Sequence, residues 1–131
     1  NWGNPKDPTS PCWDYFPIIY SPASISTLKL NSNKWGQGIL LVENDMNLTG
    51  GFEFYGPVIV RKTLKTTGTG GHVQGGVIAA NAEFDQSEVL GNAVVQYSTC
   101  GVERAILGNS SLTRMVPLAE RSWVDLSSVG N

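Results

Sequence analysis

Leu28-Lys29-Leu30, Met46-Asn47-Leu48, Leu64-Lys65-Thr66 and Ala82-Glu83-Phe84 decide the fold. Each triplet begins 18 residues after the last, and each alternates inward, outward, inward as a strand does. A second trace runs offset from the first: Gly38-Ile39-Leu40-Leu41-Val42, Gly56-Pro57-Val58-Ile59-Val60 and Gly75-Gly76-Val77-Ile78-Ala79, with spacings of 18 and 19. A weaker fourth copy stands at Gly91-Asn92-Ala93-Val94-Val95. A short fixed period marks stacked repeats. Because the units are strands, the pattern predicts a mainly β chain folded as a small single-domain β-solenoid, parallel β-helix-like, with coils of about 18 residues.

Each triplet is followed by a polar or glycine corner, as in Asn31-Ser32-Asn33, Thr49-Gly50-Gly51 and the run from Thr67 to Gly71. Such residues accept positive φ at low cost, which sharp corners require. A short third strand comes next, Phe52 to Phe54 and His72 to Gln74, and then the glycine-led strand. Stacking turns like positions into columns. Lys29, Asn47, Lys65 and Glu83 form an outward one with Lys65 beside Glu83, and Glu43 falls beside Arg61 in another. Exposed pairs of this kind contribute about 0.2–1 kcal/mol each and favour the correct register. The interior column of Leu, Met, Leu and Phe carries the stability.

The glycine-led strands Ile39–Val42 and Val58–Val60 are apolar on both faces, so something must cover their outside. Ser98 or Thr99 can cap a short C-terminal helix that runs to Leu107 and stops at Gly108. Its apolar stripe is Val102, Ala105 and Ile106, and either this helix or a partner packs on that face. The domain then divides into an N-terminal arm (1–24), solenoid repeats (25–98) and a helix with a C-terminal cap (99–131). In the arm, Pro5, Pro8, Pro11, Pro17 and Pro22 exclude a helix, while Trp2, Trp13, Tyr15 and Phe16 anchor it over the first coil. Pro17 to Ser21 reads as one short strand. Near the other terminus, Met115-Val116 and Ser122 to Leu126 read as short strands, and Trp123 as a residue that shields the open end.

Composition narrows the function. A net charge of −2 leaves no basic footprint for nucleic acid, and no apolar run is long enough to span a bilayer. Cys12 and Cys100 bracket the repeats, a pairing that fits a disulfide in an oxidising compartment; no zinc spacing is present. The lone histidine, His72, has no neighbour in sequence to serve as nucleophile or orienting group, and reads as a corner residue. The glycines from Gly68 to Gly76 lack the Gly-Lys-Ser/Thr ending of a phosphate loop. Asp45 and Asp85 sit at corners where calcium could bind, but the calcium β-roll repeat is absent. No catalytic residue, cofactor or metal is therefore expected. Asn47-Leu48-Thr49 and Asn109-Ser110-Ser111 match the glycosylation sequon.

The run from Gly36 to Val60, GQGILLVENDMNLTGGFEFYGPVIV, resembles the C-terminal soluble region of bacterial PilX-type pilus assembly proteins. Gly75-Gly76-Val77-Ile78-Ala79-Ala80-Asn81, the segment from Val89 to Cys100, and Arg121-Ser122-Trp123-Val124 extend the resemblance over roughly residues 12–126. Asn44 departs from the family's usual glycine at one turn. The family's N-terminal pilin-like helix has no counterpart in residues 1–24, so the expectation is an excised soluble portion, or assembly by some other contact. The resemblance implies an extracellular, cell-surface structural protein, not an enzyme. It would be a pilin-like or pilus-associated subunit assembling with itself or with other pilin-like chains into a filament. Trp2, Trp13, Tyr15, Phe16 and Trp123 are the assembly candidates. The alternatives are a carbohydrate-binding or adhesin module using Trp35 and Tyr55, and a polysaccharide-active enzyme with paired carboxylates on a β-helix.

Overall fold

A computed structural model describes residues 1–67, 71–84 and 94–113. The chain is a β-solenoid of about four coils with a short helix on its flank. Among the described residues eight strands and two helices follow in order: β1 (Ile18–Ser21), β2 (Thr27–Asn31), β3 (Trp35–Gln37), β4 (Ile39–Val42), β5 (Asp45–Thr49), β6 (Glu53–Thr67), β7 (His72–Phe84), β8 (Val94–Tyr97), α1 (Thr99–Leu107) and α2 (Ser110–Thr113). Every pair of these strands is parallel.

The ladders define three walls. The first stacks β3, residues 53–55, residues 72–74 and β8; the second stacks β1, β4, residues 58–60 and residues 77–79; the third stacks β2, β5, residues 64–67 and residues 81–84. The 18-residue period is thus the perimeter of one coil, and Leu28, Met46, Leu64 and Ala82 lie in one register column. The interior is filled by two neighbouring columns on this wall instead of one. Met46, Leu64 and Leu48 are buried and Leu28 and Leu30 half-buried, whereas Ala82 in the last coil is exposed. Leu40, Val58, Phe54 and Val73 supply the facing side chains from the other walls.

Three sequence expectations are revised. β1 pairs with β4, so the first coil begins at Ile18, inside the segment read as an arm. The apparent fourth glycine-led copy belongs to another wall: Val94 and Val95 pair with His72 and Val73. The three short strands expected per coil merge into single bent strands in β6 and β7: Gly56 and Gly75 carry the ladder unbroken around the first bend, and the register shifts at the second, between Val60 and Thr63. Met115, Val116 and the strand and cap expected around Trp123 lie outside the described residues, as do Asp85 and the glycines of 68–70.

Gly38, Gly56 and Gly75 stack at the edge between the first and second walls, with φ of 112°, 133° and 153°. A Cβ on Gly56 would lie 2.0 Å from the Gly38 carbonyl oxygen, and one on Gly75 2.4 Å from that of Gly56. Only glycine lets consecutive coils close this corner. The column also leaves a groove without side chains, and α1 lies along it.

Ser98 caps α1, its hydroxyl accepting from the Gly101 N–H at 3.1 Å. Gly101 then faces the Gln74 carbonyl and Gly75, Ala105 is fully buried against Gly56, and Gly108 reaches the Phe16 ring. One helical turn rises about 5.4 Å and one coil about 4.8 Å, so α1 climbs the corner nearly one coil per turn. Its inward line is Gly101 and Val102, half-buried, and Ala105, buried, while Ile106 is exposed, one position off the expected stripe. Gly108 ends the helix as expected, but with φ of −75°. It is glycine because a Cβ would meet the Phe16 ring at 2.3 Å.

Candidate assembly surface

Seen from outside, the walls differ in chemistry. The third presents Lys29, Asn47, Lys65 and Glu83 as one outward column, with Lys65 and Glu83 paired at 3.4 Å as the register required. Glu43 and Arg61 also pair as expected. The second wall presents Tyr20, Leu41, Ile59 and Ile78. Helix α1 covers part of it: Leu41 packs against Phe16, Ile39 and Ala105. The two ends of this column stay open, with Tyr20 57% and Ile78 68% exposed.

The end of the solenoid at β1 and β2 is the feature the repeat leaves unfinished. Among the described residues, β1 pairs only with β4 and β2 only with β5, so each presents one free strand edge. On the first wall the corresponding edge is occupied. The Gln37 N–H donates to the Trp2 carbonyl at 2.7 Å, on the side of β3 away from β6. The Trp2 ring drops into the barrel end and meets Phe52 and Phe54 edge to face, at 6.1 and 6.5 Å.

Two side chains hold the arm in that position. Gln37 is almost wholly buried, and its Nε2 donates to the carbonyls of Cys12, Trp13 and Tyr15 at 3.1, 2.8 and 2.9 Å. Arg104 of α1 lies over the rings of Trp13 and Phe16, at 4.6 and 5.2 Å. Of the aromatic assembly candidates, Trp2, Trp13 and Phe16 are therefore engaged inside the chain, and Tyr15 is half exposed. Gln37, which looks like an ordinary polar strand residue in the sequence, is the organiser that sequence reasoning missed.

The remaining expected site residues have assigned places. Cys12 and Cys100 are free thiols; Asn1 Nδ2 donates to the Cys12 sulfur at 2.8 Å, and Cys100 is exposed in the first turn of α1. Asp45 accepts from the Thr63 N–H at 3.1 Å and so staples the bend in β6. Among the described residues no group of His, Cys, Asp and Glu is arranged to hold a metal. Asn109 is 7% exposed and donates to the Phe16 carbonyl at 2.8 Å, so its sequon is engaged in packing. Asn44 does more than alter a turn: its amide donates to the carbonyls of Ala23 and Ile25, tying the second coil to the first. His72 opens β7 on the outer face of the first wall, beside Glu53, and is not a corner residue.

Trp35 and Tyr55 share that outer face on adjacent coils. Trp35 donates its indole N–H to Asn4 at 3.1 Å, and the Lys6 ammonium sits 5.2 Å from its ring centre. Lys6 also donates to Glu53 at 2.6 Å, and the Tyr55 hydroxyl to Glu53 at 2.8 Å. The hydrogen bond from Lys6 is the main reason that the Glu53 carboxyl titrates below its ordinary 4.5. Burial, followed by the hydrogen bond to Glu53, pushes the Tyr55 phenol up to about 12.

A carboxyl whose folded value is depressed contributes stability above its ordinary value and loses it as pH falls through the folded one. The bond from Lys6 to Glu53 is therefore expected to hold the arm to the first wall in full above pH 4.5 and to release it as the pH falls further, through the lower folded value. Limited proteolysis of residues 1–12 across that range, compared with Glu53→Gln, checks this. The wild-type chain should acquire the variant's sensitivity only at the acid end.

No protein-family model matches this chain, and no curated protein or solved structure matches it significantly.

Proposed function

We propose that this chain is a non-enzymatic structural protein of the bacterial cell surface, a pilin-like or pilus-associated subunit that works by protein–protein assembly into a filament. One observation carries the reading: the free edges of β1 and β2 among the described residues, at the end of an all-parallel stack. A strand edge left open is a template for another chain. The resemblance to PilX-type proteins supports the extracellular setting. Oxidation of Cys12 and Cys100 to a disulfide there would fix the arm against α1. Electron microscopy and sedimentation of the purified chain over a range of concentrations test the reading. Filaments or ordered oligomers are expected; a monomer at every concentration overturns it.

A second reading has an observation of its own. Trp2, Trp35, Leu30 and Phe52 line a cleft of about 340 Å³ whose rim carries Lys29 and Lys34. Among the described residues neither lysine forms an ion pair. An aromatic floor with a cationic rim suits an acidic sugar. A glycan array containing uronic-acid oligomers tests this adhesin reading, with Trp35→Ala expected to abolish any signal.

A further inference from the structure

We infer that the partner at the open end is a second copy of this chain, added head to tail, so that β7 of one copy pairs with β1 and β2 of the next; this rests on the assembly reading above.

The register carries the inference. The paired strands run parallel, so the edge beneath residues 76–84 of β7 offers the same kind of ladder that β1 and β2 offer to β4 and β5 inside the chain. Among the described residues, that part of β7 pairs only with β6. A copy placed there continues each outward column. On the third wall the column starts at Lys29 and ends at Glu83, so Glu83 of one copy comes beside Lys29 of the next. The arrangement repeats the Lys65–Glu83 pair within the chain. On the second wall Ile78 comes beside Tyr20, and these are the two open ends of the apolar column. One wall thus matches charge and the other buries apolar surface. The contact is heterologous and does not close on itself, so its repetition gives a fibre.

The first wall imposes a condition on this stacking. β8 adds a rung beneath residues 72–74, and Trp2 adds one above β3. With the second and third walls of two copies in register, only one rung fits between residues 72–74 of one copy and β3 of the next. β8 and the arm of the neighbouring copy compete for it. β8 is held by a backbone ladder over four residues, whereas the arm at Trp2 has a single backbone bond to β3 and is otherwise held by the Trp2 ring and, further along, by the Gln37 amide, contacts that a new ladder can replace. The arm is the segment that yields, so it acts as a removable cap on the growing end.

The test compares the full chain with Lys29→Glu, Glu83→Lys and the double variant, by sedimentation and electron microscopy. Lys29 stands next to Asn47, so its reversal breaks no ion pair within the chain. Each single reversal should raise the concentration needed for assembly about tenfold, by placing like charges together, and the double variant should restore it. In assembled wild-type material, protease should cut within residues 1–12. Assembly that is indifferent to Lys29→Glu overturns the head-to-tail contact while leaving a structural role standing. An arm that stays protected in the assembled state overturns the displacement. A wild-type chain that never assembles overturns the structural reading itself.

Discussion

Gly56→Ala is expected to lower stability by more than about 4 kcal/mol, enough to leave little folded protein. Two independent costs meet at this position. The residue holds φ at 133°, where an L side chain is strained, and the added methyl would sit 2.0 Å from a backbone oxygen of the preceding coil. That oxygen belongs to the Gly38 corner and cannot yield without shifting a second coil. The same methyl would press on Ala105, 3.2 Å away, and lift the helix from its groove. Gly76→Ala, a single residue past the next corner, provides the contrast. Nothing lies within 4 Å of its Cβ and its φ is not positive, so the change should be neutral or slightly stabilising. Urea unfolding followed by circular dichroism separates the two.

Gln37→Ala is the second large effect. One buried amide nitrogen serves three carbonyls of the arm, and alanine leaves all three without that donor. The amide carries two protons, so its three contacts amount to two hydrogen bonds with one shared; at about 1 kcal/mol per bond the loss is roughly 2 kcal/mol, concentrated at the arm. Unfolding should show the deficit, and limited proteolysis should place it before Phe16. Gln37→Glu distinguishes packing from donation. It keeps the shape, removes the donor, and sets a carboxylate against three carbonyl oxygens, so it should be no better than alanine.

The coil perimeter was legible because third-wall strands repeat at a constant interval. Leu28, Met46 and Leu64 could be placed in one column from spacing alone, as could the Lys65–Glu83 and Glu43–Arg61 pairs. Where a corner lengthens the coil, spacing misleads. Val94 follows a glycine as the second-wall strands do, yet it lies on the first wall. Periodicity reports which residues share a column only while the loops keep their length. The arm has no period at all, so its attachment through Gln37 and Arg104 leaves no trace in hydrophobic pattern. Gly108 was found for one reason and is required for another: the pattern marks a helix end, and the packing demands room for Phe16. The candidate surface was half visible. The need for capped ends follows from any solenoid, but which end stays open depends on where the arm lies.

Stacked coils that touch only their neighbours unfold like a zipper, rung by rung from an end. Helix α1 changes this. It leaves the last rung of the first wall, seats Gly101 on the fourth coil and Ala105 on the third, and its continuation binds Phe16 above the first through Asn109. Residues 93 positions apart are thereby joined by one hydrogen bond along the length of the stack. Fraying at either end must pull on this strut, and through it on the other end. Hydrogen exchange should accordingly show the first and last coils opening together, with one shared free energy instead of a gradient along the axis. Cutting the strut with Asn109→Ala should restore the gradient.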